Sequence, residues 1–140
     1  MKLSKLLSIA LLIGTPVLIS NVQAKNGPAV SIYSETPAKT VIIKHPAANN
    51  IEGFFSTTTN LMFEVYKAGT KEDLAKIIAA IKKNSNVQDC VEGPLNGDYQ
   101  AITLTLKEMK NKQWYAELFL KAGLNTIKIN NNPIVEVGKM

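Results

Sequence analysis

Side chains able to ligate a metal or attack a substrate are few and scattered along this sequence. Cys90 is the only cysteine, His45 the only histidine, and Met62, Met109 and Met140 lie far apart. Thiolate, imidazole and thioether together would make a soft site for copper or zinc, but such sites usually need three or four converging ligands. A set of Cys90, His45 and Met62 is therefore the alternative reading, in which the chain carries a soft metal. The simpler reading of Cys90 is a small core hydrophobe, because an unpaired thiol is among the most buried side chains. Its neighbours Asp89 and Glu92 would raise rather than lower its pKa. Thr70 and Asp73 offer a hydroxyl and a carboxylate three residues apart, a hard and weak pair for a metal. The same spacing approximates a capping box, in which Thr70 and Asp73 would close the start of a helix. There is no glycine-rich phosphate loop and no nucleophile set beside a tuned base, so no catalytic residue and no cofactor are expected.

The elements that must position these residues are legible from Leu61 onward. Leu61 to Tyr66 alternates, with Phe63 and Val65 on one side and Glu64 and Tyr66 on the other, as in a half-buried strand. Leu74, Ile77, Ile78 and Ile81 then recur at helical spacing behind Thr70, with Lys82-Lys83 at the helix end. Val87 to Glu92 reads as a strand, and Asn96-Gly97 is a strong hairpin signal leading into Tyr99 to Leu106. A second helix is expected from about Asn111 to Ala122, burying Trp114, Tyr115, Leu118, Phe119 and Ala122 before a stop at Gly123. Thr126 to Ile129 gives a further strand, and Ile134 to Val137 a short one beyond Pro133.

The order β-α-β-β-α-β predicts an α+β fold of the ferredoxin-like kind: a four-stranded antiparallel sheet with two helices on one face. Tyr66 and Tyr99 would then share the open face as an interaction surface. The run Phe63-Glu-Val65, a loop, Ile77, Ala80-Ile81, Val87 and Cys90, closed by Lys121-Ala-Gly-Leu124, resembles the heavy-metal-associated domain. That family includes periplasmic mercury-scavenging proteins and copper chaperones. The likeness spans roughly residues 63 to 129. It implies a soft-metal loop of the form Met-x-Cys-x-x-Cys after the first strand. Here Ala68 stands at the Met position and Thr70 and Asp73 at the two Cys positions, so the family's metal role does not transfer.

Upstream, Lys2 and Lys5, the apolar run Leu6 to Ile19 and the small residues of Val22-Gln23-Ala24 read as an export signal over residues 1–24. The apolar run is shorter than the roughly 20 residues that span a bilayer, so no stable membrane insertion is expected after cleavage. Residues 25–60, with Pro28, Pro37, Pro46 and the islands Val30 to Tyr33 and Val41 to Ile43, are expected to form an extended or partly ordered arm. Residues 61–140 would be the domain. The chain is mildly basic, at +5, and all sixteen basic residues are lysine. Without arginine there is no bidentate fork for phosphate, and no nucleic-acid partner is expected. A lone cysteine cannot staple an exported chain, so stability must come from the core. The expectation is a non-catalytic periplasmic or secreted domain that acts through a protein partner or self-association.

Overall fold

The computed structural model describes residues 35–140, and the export signal and the Val30–Tyr33 island lie outside them. Six strands and three helices follow in chain order. They are β1 (Thr40–Ile43), α1 (Ile51–Thr57), β2 (Asn60–Tyr66), α2 (Lys71–Lys82), β3 (Val87–Asn96), β4 (Tyr99–Leu106), α3 (Lys112–Lys121), β5 (Thr126–Ile129) and β6 (Val135–Glu136). Single 3-10 turns stand before α1, at Pro46–Asn49, and after β6, at Val137–Lys139.

The β2-α2-β3-β4-α3-β5 series is present in the expected order, yet the sheet is neither four-stranded nor antiparallel throughout. Its six strands run β3-β4-β2-β1-β5-β6. β1 separates β2 from β5, antiparallel to the first and parallel to the second. The cause lies in Thr40-Val-Ile-Ile43, where all four residues are buried. A short run of β-branched residues between Pro37 and Pro46 suits a strand covered on both faces, not a sheet edge or a tether. Residues 40–60, placed in the arm by sequence reading, thus supply an interior strand and an additional helix, α1.

Asn130 completes that insertion. Its side-chain amide accepts from the His45 backbone N–H at 2.9 Å and donates to the His45 carbonyl at 2.8 Å. The Asn130 backbone N–H donates to the Ile43 carbonyl at 2.8 Å. The residue sits at φ 52°, a left-handed conformation that asparagine tolerates better than most. A side chain here continues the β1–β5 pairing beyond the last strand residue.

The core lies between one sheet face and the helices. Ile102, Leu104 and Leu106 of β4 and Leu61, Phe63 and Val65 of β2 point into it. α2 contributes Leu74, Ile77 and Ile81, with Ile78 only partly buried, and α3 contributes Tyr115, Leu118 and Phe119. Phe63 meets Phe119 with ring centroids 5.3 Å apart, and Phe55 of α1 meets Tyr115 at 4.8 Å. The Tyr115 hydroxyl donates to the Thr58 carbonyl at 3.2 Å, and burial pushes the phenol up to about 12. Trp114 packs edge-on against Tyr115 from a half-buried position, since adjacent helical residues cannot both point inward.

β3 is an edge strand with one neighbour, β4, and its pairing slips twice, between Val87 and Asp89 and between Glu92 and Leu95. The Asp89 carboxylate accepts from the Cys90 backbone N–H at 2.8 Å.

If β1 is an interior strand, Ile43→Ala should destabilise the chain by about 2–5 kcal/mol, as for other buried aliphatic truncations. A loosely attached arm would give a change within about 0.5 kcal/mol. Urea unfolding of the full chain separates the two outcomes.

Candidate functional site

Thr70 and Asp73 do structural work. Thr70 Oγ1 accepts from the Asp73 backbone N–H at 3.2 Å, and Asp73 Oδ2 accepts from the Thr70 backbone N–H at 3.1 Å. Both halves of a capping box are therefore present at the start of α2. Gly69 makes it possible: its φ is 100°, and a Cβ there would come within 2.6 Å of Asp73 Oδ2. The Thr70 backbone N–H, and then its hydroxyl, hold the Asp73 carboxyl below its ordinary range.

Cys90 lies in β3 opposite Leu104, facing the core and 1 % exposed. Burial pushes its thiol up to about 11, against a smaller opposing pull from Lys82 and a small reinforcement from Asp89. His45 and Met62 are on the other side of the sheet, where both line one hollow. His45 Nδ1 accepts from the Ala47 N–H at 3.2 Å, capping the 3-10 turn. Cys90, His45 and Met62 therefore do not converge within one chain. Among the described residues no group of three or more His, Cys, Asp or Glu stands together. Met109 is exposed, and Met140 packs against the core rim.

Tyr66 and Tyr99, in contrast, are brought together. They are cross-strand partners in the β2–β4 register, with ring centroids 5.1 Å apart. The Lys44 ammonium lies 5.1 Å from the centroid of Tyr99, and the Lys67 ammonium 5.1 Å from that of Tyr66, both within cation–π range. Lys67 also pairs with Glu35 at 3.2 Å. The Tyr66 side chain first, and Glu35 next, hold its ammonium above the ordinary lysine range.

The register places the rest of this open face. Glu64 is opposite Ala101 and Ile42, Met62 is opposite Thr103, and Lys128 of β5 is opposite Ile42. α2 and α3 send their apolar stripes into the core on the far side, and Met62 is left 71 % exposed. Lys44 reaches across to Glu64, Nζ to Oε2 at 2.8 Å. Two hollows flank this ion pair. One, of about 600 Å³, runs between Met62, Ala101 and Thr103 on the strands and His45, Phe54 and Thr57 beyond them. The other, of about 550 Å³, lies among Lys44, Lys128, Tyr99, Asn130 and Asn131. Small side chains at Ala101 and Thr103, which the β4 alternation already turned away from the core, leave the first hollow open. Sequence reading missed Ile42, Lys44 and Lys128 because the first two fell in the presumed arm and the third followed from β1's insertion.

Among the described residues no helix is long and apolar enough to cross a membrane. No protein-family model, curated protein or solved structure matches the chain.

Thr70→Ala should destabilise the chain by about 1 kcal/mol, the usual cost of a lost N-cap, read from denaturant unfolding. Because Asp73 has a lowered native pKa, its contribution is complete above the unfolded carboxylate range. It is lost as pH falls from about 4 through the native value. Asp73→Asn should flatten that part of the acid-stability curve, and an unchanged slope would remove the box as its cause. For Cys90, a thiol reagent at pH 8 should react slowly with the folded chain and fully after unfolding in urea. Rapid labelling of the folded form would contradict a core thiol.

Proposed function

We propose that this chain is a non-catalytic, exported binding domain whose contact surface is the open sheet face. The observation that carries the reading is the grouping of Tyr66, Tyr99, exposed Met62 and two lysines on a sheet face that the helices leave uncovered. Aromatic and methionine side chains are the residues that contribute most at contact surfaces, because they bury large area with few rotamers lost or adapt to irregular partners. Tyr66, Tyr99 and Met62 stand on paired strands, so that part of the face is held by backbone register and preorganised. Export rests on the Val22-Gln23-Ala24 pattern, which gives a periplasmic or secreted location. A protein partner is the broad class this surface suits.

Capture experiments test the reading. The full chain, its Tyr66→Ala/Tyr99→Ala variant, its Met62→Asp variant and a helix-side Glu117→Lys control would be compared on envelope extract, with bound proteins quantified. The face variants should reduce specific capture about tenfold or more while the control retains it. Capture lost only in the helix-side control would overturn the assignment of the face.

A further inference from the structure

We propose that the two hollows together form a site for a small amphipathic carboxylate, whose apolar body lies along Met62 and Phe54 and whose carboxylate meets Lys44 and Lys128. This rests on the reading of the open face as the contact surface and names the chemistry of one ligand for it. The hollows share Ile42, Lys44 and His45 as a common wall, so one molecule can occupy both. Volumes of about 600 and 550 Å³ each fall within the range of small-molecule sites.

Their linings differ in degree: the first holds the larger apolar surface, and only the second holds Lys128. The first is lined by Ile42, Met62, Ala101 and Phe54 together with Lys44, His45, Glu64, Asn60 and three threonines. The second is lined by Lys44, Lys128 and His45, by the amides of Asn49, Asn130 and Asn131 and by Tyr99, and none of its lining residues is acidic. Lys128 makes no ion pair among the described residues. Among the described residues Lys44 has one ion-pair partner, Glu64, besides its contact with the Tyr99 ring, and its side chain is 65 % exposed. Such a pair contributes little, so an incoming carboxylate can take Glu64's place on the ammonium. Two lysine point charges supply the counter-charge that a single carboxylate needs.

The opposed roles of Lys128 and Glu64 make the proposal testable by sign. Octanoate, octanol and acetate would be titrated into the full chain below micellar concentration, with affinities from calorimetry and face-residue shifts from NMR. Octanoate should bind about tenfold more tightly than either octanol or acetate. Lys128→Gln should weaken octanoate about tenfold, Glu64→Gln should strengthen it about threefold, and Met62→Asp should weaken octanoate and octanol alike. All three positions lie on the open face, and unchanged melting temperatures would verify folding. Octanoate binding no better than the two controls, or indifferent to both charge substitutions, overturns the proposal. If capture by the face persists in that event, the ligand class alone falls. If face variants change neither capture nor titration, both readings fall.

Discussion

The arrangement depends on burying Thr40–Ile43 on both sides. A strand in that position must find a hydrogen-bonding neighbour along each edge and apolar cover on each face. β2 and β5 supply the edges, while the core covers Val41 and Ile43. On the opposite face Thr40 is also fully buried, and its hydroxyl is answered by the Pro37 carbonyl at 2.7 Å and by the Thr126 hydroxyl at 2.6 Å. Burying a hydroxyl without such partners would cost on the order of 1–3 kcal/mol. Once β1 is seated, β5 can no longer pair with β2, and the sheet must become mixed.

The inserted strand has a chemical effect as well as an architectural one. It sets the buried Ile42 beneath the face between β2 and β5 and brings Lys44, just past its end, onto that face. Lys44 then reaches Glu64 in one direction and Tyr99 in another. A four-stranded version would set β5 beside β2 and would have neither Ile42 nor Lys44 there. The hollows on either side of the ion pair thus exist because residues upstream of the first clearly patterned strand join the domain.

How much was legible follows from the kind of signal each segment carried. Alternation in Leu61–Tyr66 and Tyr99–Leu106, helical spacing from Leu74 to Ile81, the turn at Gly97 and the Thr70–Asp73 box each state a local preference that the fold obeys. The buried thiol and the Tyr66–Tyr99 pair followed from the same patterns. β1 was harder to place because a fully buried strand has no alternation to display, and its four residues stand alone among prolines and polar residues. Its neighbours in space, Tyr66 and Thr126, are far away in sequence, so no local pattern could name them. Lys44 and Lys128 are individually ordinary surface lysines, and only the parallel β1–β5 register sets them on one face.

The Asp89 carboxylate resting on the Cys90 amide bears on how this sheet behaves among copies of itself. β3 is ten residues long and lies at the sheet boundary, which would ordinarily invite another strand to continue the ladder. Here the amide is already satisfied, two register slips bend the line of donors and acceptors, and Pro94 offers no N–H at all. Edge-to-edge growth of sheets is thereby discouraged at the β3 border.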